Sequence, residues 1–100
     1  MDNLPHEIEE LIAVEIRNPM YYLGYPDDVP YGLWKDGGGE LHYICDMGLD
    51  HLKASIQRVE RDIARLERSG RPEMVIETLM PKAKSLLAEL KDEFKRKARL

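Results

Sequence analysis

His42, Cys45, Asp46 and His51 are the residues whose types and spacing could do chemistry, since imidazole and thiolate bind zinc and four donors complete a tetrahedral site. Their spacing argues against it. Strand alternation puts His42 and Cys45 on opposite faces, and Cys45 is the only cysteine, so no cysteine pair can close a zinc site or a disulfide. Cys45 with a histidine also has the residue types of a cysteine hydrolase, but neither a glycine-framed nucleophile turn nor an assigned orienting acid accompanies them. The plainer reading makes Cys45 a small buried hydrophobe, His51 a residue at a helix start bonded to the hairpin, and His42 an exposed side chain. Gly37, Gly38 and Gly39 resemble a phosphate cradle only superficially. Such loops need a helix N-terminus beside the glycines, and here Glu40 and an apparent strand follow. The adjacent acids Asp27 and Asp28, or Glu9 and Glu10, read as surface charge. No catalytic residue, metal ion or cofactor is expected.

Binding has a stronger signal. Tyr21, Tyr22, Tyr25, Tyr31, Trp34 and Tyr43 are six of the seven aromatic residues in the chain. Most lie between Pro19 and Gly39, where three prolines and five glycines break every periodicity and predict an ordered loop ahead of Trp34. Tyrosine joins a rigid apolar face to a polar end, and it is enriched where proteins grip other proteins or stack on nucleotide rings. Tyr21, Tyr22, Tyr25, Tyr31 and Trp34, with His42 as a polar contributor, are therefore the candidate contact residues. In the competing reading these rings cover the hairpin and complete a thin core.

Three kinds of element must position those side chains. Ile8, Leu11, Ile12 and Ile16 recur at helical spacing behind Pro5 and a run of acids, which predicts a helix from about Pro5 to Arg17. Gly32 to Lys35 and Glu40 to Cys45 flank the turn Asp36–Gly39 and predict a short β-hairpin. Within it, Leu41, Tyr43 and Cys45 share one face, and His42 and Ile44 the other. Leu52, Ile56, Val59, Ile63 and Leu66 form one helical stripe, stopped at Ser69-Gly70-Arg71-Pro72. Val75, Ile76, Leu79, Ala83, Leu86, Leu87, Leu90 and Phe94 form another, with Pro81 either kinking one helix or starting a second. The expected fold is mainly α with a small β component, as a single domain over residues 1–100. It comprises an N-terminal helix (1–18), the aromatic loop and hairpin (19–46) and an antiparallel helical hairpin (47–100).

A chain of 100 residues buries only roughly two thirds of its unfolded surface, so its core is thin. Both long stripes step close to 3.5 residues, and a homo-oligomer is expected to extend that core. With 43% apolar and 34% charged residues, global disorder is excluded. The formal charge of −4 conceals an asymmetry. Residues 1–50 carry eleven acids and two bases, and residues 51–100 carry eight acids and thirteen bases. The acidic first half is expected to pack against the basic second half, within or between subunits. A nucleic-acid partner is disfavoured by the overall acidity, and the basic run Lys91, Lys95, Arg96, Lys97 and Arg99 is partly neutralised by the helix pairs Asp92–Arg96 and Glu93–Lys97. No apolar run reaches the about eighteen residues that cross a bilayer, and Met1 to Glu10 carries acids where a secretion signal carries bases. A cytoplasmic location, with no membrane partner, is expected.

The hairpin and the helix after it resemble small phage and prophage proteins of unknown function. In these a tryptophan, an Asp-Gly turn, an apolar strand residue, a methionine and a His-Leu pair open a helix. Those positions here are Trp34, Asp36 and Gly37, Ile44, Met47, and His51 with Leu52, followed by Ile56. The resemblance implies a small phage or prophage accessory protein, a class that often binds host factors or sequesters signalling molecules. Three functions follow: an inhibitor or adaptor bound to a host protein, a sponge for a cyclic-nucleotide-type defence signal, and a nucleic-acid-binding regulator.

Overall fold

Proline at a helix entrance lacks only an N–H that would be unsatisfied there, and Pro5 caps helix α1 (His6–Arg17) in this way. Its carbonyl accepts from the Ile8 and Glu9 amides at 3.0 and 3.1 Å, while Glu7 and Glu9 sit at the positive end of the helix dipole. Ile8 is buried, and Leu11, Ile12 and Ile16 pack beside it, as their spacing predicts. The structure, a computed structural model, describes residues 4–24 and 32–99. Behind α1, a single 3-10 turn at Tyr21–Leu23 carries the chain toward the hairpin.

Strands β1 (Leu33–Lys35) and β2 (Leu41–Tyr43) pair antiparallel, with Leu33 opposite Tyr43, Trp34 opposite His42 and Lys35 opposite Leu41. Asp36 builds the connection. Its Oδ1 accepts from the Gly38 and Glu40 amides, both at 2.9 Å, and Gly39 closes the turn at φ +90°, a conformation glycine adopts without strain. The second strand is shorter than expected. After Tyr43 the chain turns into a 3-10 segment, Ile44–Asp46, because Ile44 and Met47 are drawn into the core. Cys45 thus leaves the sheet and does not share a strand face with Leu41 and Tyr43.

Helices α2 (Leu49–Glu67) and α3 (Glu73–Ala98) form the antiparallel pair. Between them Gly70 takes φ +74°, and the Ser69 hydroxyl donates to the Leu66 carbonyl at 2.7 Å. Pro81 neither ends α3 nor divides it, because its ring lies on the exposed face of one continuous 26-residue helix. Leu52, Val59 and Leu66 of α2 meet Val75, Leu79, Ala83 and Leu90 of α3, all fully buried. Each large member contributes roughly 1.5–3 kcal/mol of burial free energy, which makes this seam the main source of stability. Helix α1 packs against α3 and the aromatic segment joins the same core, while Ile56, Ile76, Leu87 and Phe94 of the stripes are only partly buried.

Candidate functional site

The aromatic segment divides between core and surface. Tyr22 is wholly buried and Trp34 is 3% exposed, and their rings stack at 5.0 Å with an interplanar angle of 12°. In this fold these two rings have almost no surface to offer a partner. Through this stack the hairpin, of which Trp34 is part, rests on the core. Tyr21 is half-buried, edge-on to Tyr22, with the Arg58 guanidinium 5.5 Å from its ring centre. Tyr25 and Tyr31 lie outside the described residues. Tyr43, by contrast, is 60% exposed, and Leu41 beside it on the same strand face is 46% exposed.

A buried polar network ties these elements together. The Tyr22 hydroxyl donates to Asp62 Oδ2 at 2.6 Å, and burial, followed by that carboxylate, pushes the phenol well above its ordinary pKa. Nearby, Glu15 of α1 is 1% exposed and accepts from Arg65 Nη2 at 2.7 Å and Arg71 Nε at 2.9 Å. The acidic first half of the chain therefore meets the basic second half inside the molecule. A helical repeat carries the signal: Glu15 falls on the stripe of Ile8 and Ile12, and Asp62 on that of Val59 and Leu66, so each acid occupies a core position. Which base it meets, some fifty positions away, is not encoded in any local pattern.

The residues first considered for zinc do not converge. Cys45 is exposed, contrary to its reading as a buried hydrophobe, and its sulfur lies 3.9 Å from Asp46 Oδ1. His42 is half-buried, and its Nε2 bonds Asp36 Oδ2 at 2.7 Å. This bond, ahead of the Glu40 amide, holds the Asp36 carboxyl below its ordinary pKa. The His51 ring stands edge-on to His42 at 5.7 Å. On α3, Glu93 takes both Arg96 and Lys97, and Arg96 holds the Glu93 carboxyl low. Arg96 thus pairs with Glu93, not with Asp92 as its spacing had predicted.

Among the described residues, two hollows flank the hairpin. One, of about 600 Å³, is bordered by Ile16, Arg17, Tyr21, Lys35 and the glycine turn. The other, of about 390 Å³, lies between Tyr43 and Cys45 on one side and Glu89, Glu93 and Arg96 of α3 on the other. Among the described residues no helix is long and apolar enough to cross a membrane. No family model, no curated protein and no solved structure matches this chain.

Proposed function

We propose that the chain is a non-catalytic accessory protein of the phage type that binds a host protein through the outer face of its β-hairpin, inhibiting or adapting it in the host cytoplasm. The exposed pair Leu41 and Tyr43 carries this reading. Both project from a paired strand whose other face is fixed on the Tyr22–Trp34 stack, so the contact is presented with little conformational entropy left to lose. The hollow beside Tyr43 has charged walls, Glu89, Glu93 and Arg96, and an aromatic anchor rimmed by charge is the usual anatomy of a binding hot spot. The phage-like assignment rests on the resemblance of residues 34–56.

Affinity capture from host extract tests the proposal. The wild-type chain is expected to retain one host protein, and the double substitution Leu41→Ser/Tyr43→Ser to lower its recovery at least about tenfold, the equivalent of about 1.4 kcal/mol. Equal recovery by both chains would refute the assignment of the face.

A second reading is favoured by the larger hollow, an open groove whose border includes Arg17, Lys35 and the Tyr21 ring. An anionic nucleotide is the matching ligand. A cyclic nucleotide that raised the melting temperature of the wild type and not of Arg17→Ala would favour this reading over the first.

A further inference from the structure

We propose that Asp36, Glu40 and His42 form a binding site for a divalent transition-metal ion at the tip of the hairpin. One carboxylate oxygen from each acid and a ring nitrogen of His42 all lie within 4.8 Å of one another. Ligands of a zinc-type ion stand about 2.0–2.2 Å from the metal and so roughly 3–3.6 Å apart, so the ion would replace the proton in the 2.7 Å Asp36–His42 bond, spread that pair slightly and draw in the exposed Glu40 side chain by rotation.

Two of the three ligands already stand side by side. Asp36 Oδ1 is held by the Gly38 and Glu40 amides, which leaves Oδ2 facing His42 Nε2 at 2.7 Å. A turn cap bonded to a histidine accounts for Asp36 and His42 alone. It does not account for Glu40, whose exposed carboxylate lies within 4.8 Å of a second carboxylate, a proximity that like charges oppose and a cation favours. A second imidazole, that of His51, approaches from α2, outside the hairpin.

The donor set selects the ion. Two carboxylates balance a charge of +2. An imidazole nitrogen among them suits zinc, cobalt or nickel, whereas calcium and magnesium prefer oxygen throughout, and the absence of thiolate disfavours copper(I). Three protein ligands leave a fourth tetrahedral position for water or for the neighbouring His51.

Calorimetric titration of the full chain with Zn²⁺, and with Co²⁺ followed by its visible absorption, tests the site. One ion per chain is expected, with a rise in melting temperature on the order of 10 °C at a hundredfold excess over Kd. Glu40→Gln and His42→Ala should each weaken binding by at least roughly 10–100-fold, the loss seen when even an outer-shell partner of a metal is removed. Cys45→Ser should bind as the wild type does. Glu40→Gln keeps the test decisive should His42→Ala loosen the turn, since the Glu40 side chain supports no described contact in the fold. Failure of both ions to saturate, an affinity unmoved by Glu40→Gln, or a loss on Cys45→Ser would overturn the proposal.

Discussion

Replacing Arg65 and Arg71 together by methionine is expected to remove about 3–5 kcal/mol of folding free energy, because it strands the Glu15 carboxylate at 1% exposure with no cation beside it. That is a large share of the roughly 5–15 kcal/mol that holds a domain of this size. The asymmetry of the network sharpens the expectation. Both arginines reach solvent, at 38% and 27% exposure, so a chain lacking Glu15 can let them turn outward into water, whereas Glu15 cannot escape. Adding Glu15→Leu to the double substitution should therefore restore most of the loss, because an apolar residue of similar volume suits that position on α1. Urea unfolding of the three chains measures this. A triple variant no more stable than the double would show that the charge of Glu15 is not what the arginines compensate.

Tyr22→Ala is expected to cost about 4 kcal/mol or more. It empties a wholly buried ring site stacked on Trp34 and leaves the Asp62 carboxylate without its hydroxyl donor. Tyr22→Phe keeps the ring and loses only the bond, for about 1–3 kcal/mol. The same bond makes a statement about pH. Because the folded chain raises the phenol above its unfolded pKa of about 10, this contribution is complete below about pH 10 and drains as pH rises beyond it. In an alkaline titration followed by tyrosinate absorbance, Tyr22 should ionise only as the chain unfolds. Ionisation of all five tyrosines near pH 10 with the helices intact would contradict the burial of that hydroxyl.

Helices and hairpin were legible in the sequence because each rests on a local repeat. The stripes of α1, α2 and α3 fall where their three- and four-residue spacing predicts, and Asp36 with its glycines turns the chain as turn chemistry requires. Local repeats are silent about what lies across the core. Aromatic residues concentrated in one segment fit a contact surface and a core floor equally well, and only the tertiary placement sends Tyr22 and Trp34 inward. For Tyr43 the outcome is the reverse. Alternation put it on one face with Leu41, but whether that face points to water depends on how the Tyr22–Trp34 stack seats the hairpin. Pro81 was ambiguous for a related reason. Packing along Val75, Leu79, Ala83 and Leu86 carries the helix through the missing backbone donor, and no local rule weighs that packing against the proline.

The claim that the outer hairpin face carries binding is tested most directly by measuring partner affinity and melting temperature together for Tyr43→Ala and Tyr22→Ala. Tyr43→Ala is expected to weaken binding by at least about tenfold while leaving the melting temperature within a few degrees of the wild type, as truncation of an exposed hot-spot residue does. Tyr22→Ala is expected to lower the melting temperature far more than Tyr43→Ala does, since it empties a buried ring site. Unchanged affinity in Tyr43→Ala, with its fold intact, would contradict the claim.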